Sequence, residues 1–223
     1  MARSAKKSGE ALPGRLLVEG GADFHFFSHL FVKRGLYEKI ENKVIPKGFD
    51  IRASGDCVQV IDGLIQLKDS DDLEALGIIV DADLDLDKRW QEIRKALHNI
   101  NLGYELPQQP DPEGCIVIGE KRLGVWLMPD NQISGILEHF VSWMVPDGLE
   151  NPLWKHVEQS IEALPNGPLF SAKDLAKAQL STWLAWQKEP GHPIGVAVSM
   201  GYVDHNAPSA DPFIDWIKRL FQL

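Results

Sequence analysis

The sequence has few cysteines and no long apolar run, and both absences narrow the class of protein. Its 223 residues include only two cysteines, Cys57 and Cys115, which lie far apart and lack the spacing of metal ligands. No apolar stretch approaches the ~20 residues that cross a membrane, so we expect no membrane partner. The opening MARSAKKSGEALPGR is basic and polar, which is typical of a mobile tail rather than a secretory signal. We therefore expect a cytoplasmic protein with a mobile basic tail at residues 1–13.

Positive charge is also scarce. Lys and Arg number 23 against 32 Asp and Glu, which gives a net charge of −9 at pH 7. This balance argues against a protein whose whole surface binds nucleic acid. It does not exclude an enzyme that acts on nucleic acid, because a cluster of metal-binding carboxylates adds negative charge that bound cations offset.

Apolar runs alternate with amphipathic stretches along residues 14–146. The runs LLV (16–18) and GIIV (77–80) are continuous, as in strands that a parallel sheet buries on both faces. Stretches with helical spacing follow each run, including DCVQVIDGLIQL with Asp56 as its N-cap. Strand and helix in alternation predict an α/β core with a mostly parallel sheet.

The second half of the sequence predicts additions to that core. CIVIGEKRLGVWLMP indicates two strands joined by a short turn, hence an antiparallel addition. NQISGILEHFVSWM predicts an amphipathic helix that begins after Asn131 as N-cap, with Ile133, Ile136, Leu137, Phe140, Val141 and Met144 on its apolar face. Residues 147–223 predict a mostly helical C-terminal extension packed on the core.

Carboxylates follow two of the predicted strands. Glu19 ends the first strand, and Asp81 and Asp83 end the third. Sites in open α/β sheets lie at the carboxyl ends of strands, and residues i and i+2 of extended chain project to the same side. Asp81 and Asp83 are therefore expected to converge on one cation. Asp23, in the first turn of the next helix, could serve that cation or only the helix dipole.

The remaining aspartates of DADLDLD allow other interpretations. The acids from Asp81 to Glu92 match the spacing of an EF-hand loop, but Leu86 stands where that loop needs glycine, and the preceding GIIV is strand-like. Asp87 is predicted to be the N-cap of a helix that begins at Lys88, and Asp85 a solvated loop acid.

Two histidines offer a separate metal hypothesis. His25 and His29 are spaced i, i+4 and could bind zinc. They fall on the polar side of a predicted helix without a third ligand nearby, so surface histidines are the simpler interpretation.

The stretches LLVEGGADFHFF and IIVDADLDLDKRW together resemble the TOPRIM domain of topoisomerases, primases and OLD-family nucleases. The ExxxD spacing of Glu19 and Asp23 is similar to that of the OLD nucleases. LGVWLMPDNQISGILEHFV and KAQLSTWLAWQKEPGHPIG resemble a small stand-alone TOPRIM-like family of bacteria whose function is unknown. The resemblance covers most of the chain after residue 14. It implies a TOPRIM-like, Rossmann-like fold with a mostly parallel sheet, flanking helices and a helical C-terminal appendage.

The resemblance also implies a two-metal site for Mg²⁺ or Mn²⁺. Its implied metal ligands are Glu19, Asp23, Asp81, Asp83 and Glu138. Glu19 and Lys177 are the implied catalytic residues, with Lys177 near the scissile phosphate. From the residues alone, Glu138 could equally be a flanking surface glutamate, and Lys177 a solvated helix lysine.

The implied activity is metal-dependent hydrolysis of phosphodiester bonds in nucleic acid, with DNA favoured over RNA. By analogy with the OLD group, a role in defence against phage or mobile DNA follows. The sequence contains no G-x-x-x-x-G-K-[ST] motif, so an ATPase engine would be a separate partner. Assembly into a homo-oligomer stays open. The alternative is a non-catalytic TOPRIM-fold module that binds a nucleotide or a partner protein.

Overall fold

A computed structural model describes residues 12–41, 43–99 and 105–223, so the predicted tail lies outside the described residues except for Leu12 and Pro13. The strands are β1 (Gly14–Val18), β2 (Tyr37–Ile40), β3 (Lys43–Pro46), β4 (Phe49–Ala53), β5 (Ala75–Asp81), β6 (Cys115–Ile118) and β7 (Arg122–Met128). The α-helices are α1 (Gly21–Lys33), α2 (Cys57–Leu67), α3 (Leu86–Asn99), α4 (Leu137–Ser142), α5 (Pro152–Glu162), α6 (Leu175–Ala185) and α7 (Asp211–Phe221). Among these described helices, not one has the length and apolarity to cross a membrane.

Five strands form one sheet in the order β4-β1-β5-β7-β6. β4, β1, β5 and β7 are parallel, and β6 is antiparallel to β7. β2 and β3 form a separate hairpin. The predicted α/β class with a mostly parallel sheet is confirmed, as is the antiparallel addition.

Helices cover both faces of the sheet. α1 and α4 to α7 share one buried apolar cluster with alternate residues of the strands, such as Leu16 and Ile79. α2 and α3 share the other cluster with the intervening residues, such as Leu17 and Ile78. The chain therefore leaves β1 toward one face and leaves its neighbour β5 toward the other. In open α/β sheets, such a change of face opens a crevice at the carboxyl ends of the two strands.

The C-terminal helix α7 lies directly against the sheet, over a row of glycines on β1, β5 and β7. A β-carbon at Gly124 would lie 2.5 Å from Leu220 Cδ2, and one at Gly77 would lie 2.8 Å from the same atom. At Gly14 the nearest atom, at 2.5 Å, belongs to the Phe221 ring. Residues 147–223 therefore share a core with the sheet.

The predicted helix over residues 131–144 is wrong in its first half. α4 begins only at Leu137, and Ile133 is 48 % exposed. Asn131 has a left-handed φ of 63°, and its side-chain oxygen accepts a hydrogen bond from the Leu127 N–H at 2.7 Å. The Asp130 carboxylate accepts from the backbone N–H groups of residues 132 and 133. Because side chains bond this segment's backbone groups outside a helix, it forms a turn instead.

The cap of α3 is also shifted from its prediction. α3 begins at Leu86, so Asp87 lies inside the first turn and is not the N-cap. Asp85 accepts the hydrogen bond from the Lys88 N–H at 2.9 Å and performs the capping role predicted for Asp87. In α2, the predicted N-cap Asp56 is confirmed by its bond from the Gln59 N–H.

Candidate functional site

The crevice between β1 and β5 brings two of the predicted carboxylates together. The strands are neighbours and parallel, so both end at the same edge of the sheet. Glu19 follows β1 directly, and Asp81 is the last residue of β5. Glu19 Oε1 accepts a hydrogen bond from the Asp81 N–H at 3.0 Å. This bond ties the ends of the two strands to each other.

Two helix N-termini supply further carboxylates. Asp23 lies in the first turn of α1 and accepts a hydrogen bond from the Gly20 N–H at 3.1 Å. Glu138 lies in the first turn of α4. The residue before it, Leu137, donates its N–H to Asp81 Oδ1 at 3.0 Å, which attaches α4 to the end of β5. The positive end of each helix dipole favours the acids beside it.

These carboxylates are close enough to disfavour one another's charge. Burial raises the pKa of Glu19, Asp23 and Glu138 above their ordinary values. The pKa of Asp81 rises to about 8, first through burial and then through the negative charges of Glu19, Asp23, Glu138 and Asp83. Glu138 therefore faces the cluster and is not a flanking surface residue. The cluster concentrates negative charge that the described protein groups only partly balance.

Asp83 occupies a different position from its prediction. It is exposed, and its φ of 56° puts it in a left-handed turn beyond the end of β5, so the expectation of extended chain from Asp81 to Asp83 is wrong. The physical reason is that the backbone turns to bond the 129–136 segment, where the Gly135 carbonyl accepts the Asp83 N–H at 2.9 Å. The Asp83 carboxylate pairs with Arg89 rather than joining Asp81.

Arg89 is the residue of this region that the sequence analysis missed. Its Nε donates to the Asp81 carbonyl at 3.1 Å, and its guanidinium pairs with Asp83 and with Glu92. A signal for it exists in the sequence. Arg89 falls in the first turn of α3, where the helix dipole disfavours a cation, and it stands three residues before Glu92 and six after Asp83 in the sequence.

The donor atoms of the cluster are of the kind that the implied cation prefers, but they are not yet arranged around one point. Within the described ranges, no three His, Cys, Asp or Glu side chains are grouped around one point that could hold a metal ion as they stand. The carboxylates of Glu19, Asp23 and Asp81 instead accept backbone hydrogen bonds. The donor set itself consists of carboxylate oxygens, which are the ligands that Mg²⁺ and Mn²⁺ prefer, and a cation would relieve their mutual repulsion. The donor atoms of these residues are therefore of the type that binds Mg²⁺ or Mn²⁺.

The other metal hypotheses have less support. His29 Nδ1 is hydrogen-bonded to the Gly195 carbonyl at 2.8 Å. The loop proposed as an EF-hand follows the strand β5, its Leu86 begins α3, and its Glu92 pairs with Arg89. Neither the histidine pair nor the loop presents its side chains to a shared cation.

A cleft of about 620 Å³ lies beside the carboxylates. Its walls are the β5–α3 turn with the start of α3, the 134–139 segment, and residues 172–179. Lys177 lines this cleft, and its positive charge lowers the pKa of both Asp23 and Glu138 against the effect of burial. Lys177 therefore stands near the cluster, as the resemblance requires of it.

Comparison with known proteins gives one match. The model of a family described as "Protein of unknown function (DUF3226)" matches residues 13–222. No curated protein and no solved structure matched the chain. The match spans the sheet, the carboxylate cluster and the C-terminal helices, and the chain belongs to the DUF3226 family.

Proposed function

We propose that this protein is a TOPRIM-type nuclease that hydrolyses phosphodiester bonds with divalent metal ions. The observation that supports this most is the convergence of Glu19, Asp23, Asp81 and Glu138 from four chain segments at the carboxyl edge of the sheet. Buried acids that raise one another's pKa are typical of sites that bind cations or transfer protons.

Each residue has a definite part in this proposal. Mg²⁺ or Mn²⁺, held by Glu19, Asp23, Asp81 and Glu138, would activate water and stabilise the leaving oxygen of the phosphodiester. Lys177 would contact the scissile phosphate from the cleft. Arg89 holds the turn after β5 through the Asp81 carbonyl and Asp83, so Asp83 contributes at the rim of the site.

The test compares Asp81→Asn with Asp87→Asn. The exposed Asp87 lies in the same run of aspartates but outside the cluster, so it is a matched control. Purified proteins are incubated with supercoiled plasmid and with labelled single strands, in Mg²⁺, Mn²⁺ or EDTA. We expect divalent-dependent cleavage that Asp81→Asn reduces at least ~100-fold, as for loss of a central catalytic group, while Asp87→Asn retains it.

A second readout does not depend on activity. Mg²⁺ should raise the melting temperature of the wild type and of Asp87→Asn, and should raise that of Asp81→Asn less, because a ligand stabilises the state that binds it. Equal cleavage by all three proteins would remove the proposal. A thermal shift without cleavage, even with an ATPase partner added, would favour the alternative of a non-catalytic binding module.

The wider role is proposed on the resemblance alone. A nuclease of this type could act as the effector of a defence system against phage or mobile DNA, together with a separate ABC-type ATPase. Interference with phage plating in cells that carry the wild-type gene but not the Asp81→Asn variant would support that role.

A further inference from the structure

The cleft beside the carboxylates is lined by three lysines that form no ion pair with the described acids, although the charge of Lys177 acts on nearby Asp23 and Glu138. Lys88, Lys173 and Lys177 all line it. They come from α3, from the turn before α6, and from α6 itself. In the part of the chain that the structure describes, none of the three amino groups lies within ion-pair distance of a carboxylate. Three cations that share a cleft repel one another, and an anionic ligand would relieve that repulsion.

The acids that line the same cleft form ion pairs or hydrogen bonds with other groups. Arg89 pairs with Asp83 and with Glu92. Asp85 accepts a backbone N–H at the start of α3, and Asp174 accepts a hydroxyl hydrogen bond at 2.6 Å. The lining of this cleft therefore carries four acids and four bases, and Lys88, Lys173 and Lys177 are the bases that form no ion pair with the described acids.

The size of the cleft limits what that anion can be. About 620 Å³ is the scale of a small-ligand pocket, which typically measures ~300–1,000 Å³. Surfaces that bind duplex DNA bury about 1,000–2,500 Å² of protein and are strongly positive, which does not match three lysines on an acidic protein. None of Glu19, Asp23, Asp81 and Glu138 is exposed, and the cleft adjoins them through Ala82, Asp83 and Lys177, so we expect a phosphate to approach them from the cleft. A single strand can enter a cleft of this size, whereas a duplex is too wide to do so.

We propose that this cleft binds single-stranded nucleic acid, with Lys88 and Lys173 on backbone phosphates that flank the carboxylate cluster. The proposal rests on the proposed function for the chemistry at the carboxylates and goes further by naming the substrate as unpaired strand. The shared ligand chemistry is a phosphodiester backbone, which DNA and RNA both supply.

The experiment measures binding apart from cleavage. Fluorescein-labelled 12-nucleotide single strands of DNA and of RNA, and a blunt 24-base-pair DNA duplex, are titrated with the full chain in Ca²⁺ across a salt series. Fluorescence anisotropy reports binding, and a gel confirms that the strands stay intact. We expect at least one single strand to bind at least tenfold more tightly than the duplex. The plot of log affinity against log salt should have a slope near −2, at about −0.7 for each phosphate contact.

The double variant Lys88→Ala/Lys173→Ala tests the assigned residues. It should weaken single-strand binding about tenfold and make the salt slope shallower by about 1.4. The matched control, Lys155→Ala/Lys218→Ala, removes two exposed lysines that pair with acids elsewhere, and should change neither quantity. Far-UV circular dichroism shows that both variants fold.

Several outcomes would overturn the inference. They are duplex bound as tightly as single strand, no binding of either single strand, or an effect of the control as large as that of Lys88→Ala/Lys173→Ala. Cleavage of intact duplex together with such a result would leave the proposed function standing. Tight single-strand binding without any divalent-dependent cleavage would support this inference and contradict the proposed nuclease function. Preference between the DNA and RNA strands would identify the natural source of the backbone.

Discussion

At the scale of single residues, Asp81 is the most constrained side chain of the site. It ends a buried strand, accepts the Leu137 N–H, and lies among the charges of Glu19, Asp23 and Glu138. The pKa of Asp81 is about 8, against an ordinary 3.8. Between these two pH values the folded protein therefore keeps the proton on Asp81, whereas the unfolded chain has lost it. Asp81 therefore opposes folding at neutral pH unless a cation offsets its charge.

The sign of that effect gives a prediction for the metal-free protein. Between pH 4 and pH 8 Asp81 holds its proton more tightly in the folded state than in the unfolded state, so the contribution of Asp81 to the free energy of unfolding falls as the pH rises. Asp81→Asn removes the charge and keeps an acceptor oxygen. In EDTA we expect it to be more stable than the wild type, by a margin that grows by about 1–3 kcal/mol from pH 5 to pH 8.

Urea unfolding at the two pH values measures that margin. Asp87→Asn serves again as control and should show no comparable growth. A margin for Asp81→Asn that stays constant or shrinks toward pH 8 would mean that Asp81 is not held in the repulsive, buried setting described above.

At the scale of elements, the row of glycines under α7 makes a sharp steric prediction. Gly124→Ala places a β-carbon 2.5 Å from Leu220 Cδ2 and 2.9 Å from Trp216 Cζ2, so the helix or the strand has to shift. We expect a loss of about 1–3 kcal/mol in the free energy of unfolding, the usual cost of overpacking a core. The control Gly21→Ala opens α1 with no atom within 4 Å and should be neutral or slightly stabilising. Similar urea midpoints for the two variants would contradict this account of α7.

The sequence predicted elements whose patterns are local and missed features that depend on distant partners. The strands around LLV and GIIV were predictable because burial on both faces leaves a continuous apolar run. The late start of α4 was not predictable from the local pattern. Residues 131–144 do have amphipathic spacing, but Asn131 accepts a hydrogen bond from the end of β7 instead of capping a helix. The position of Asp83 depends on the Gly135 carbonyl, which a local pattern does not reveal.

The residues of the candidate site also divide into those that the sequence predicts and those that depend on distant partners. Glu19 and Asp81 could be predicted as site residues because sites in open α/β sheets lie at the carboxyl ends of strands, and this rule needs only the order of the elements. Arg89 was missed because its acceptor, the Asp81 carbonyl, and its partner Asp83 are brought to it by the turn after β5. The approach of Lys177 to Asp23 and Glu138 depends on how α6 packs against α4, which spacing alone does not give.

At the scale of the whole molecule, one buried cluster joins the sheet to the C-terminal helices. Trp126 of β7, Phe140 of α4 and Trp183 of α6 belong to it together with Phe213 of α7. Residues 147–223 therefore lack a core of their own within the described structure, and the carboxylate cluster depends on them through Lys177 and the cleft wall.

We expect unfolding in a single step as a consequence. Urea transitions followed by far-UV circular dichroism and by tryptophan fluorescence should coincide, since the tryptophans lie both under the sheet and in the C-terminal helices. An early fluorescence transition that leaves most of the circular dichroism intact would instead indicate that α5 and α6 unfold as an independent unit.

The hydrogen bonds from Asp81 N–H to Glu19 and from Leu137 N–H to Asp81 have a consequence for natural variation. Asparagine at position 81 preserves the second bond while removing a charge, so the proposed cation binding could be lost there without dismantling the fold. Alanine at that position would leave an amide without its partner. A chain with asparagine at position 81 would therefore keep the ties between β1, β5 and α4 while losing a carboxylate of the proposed cation site.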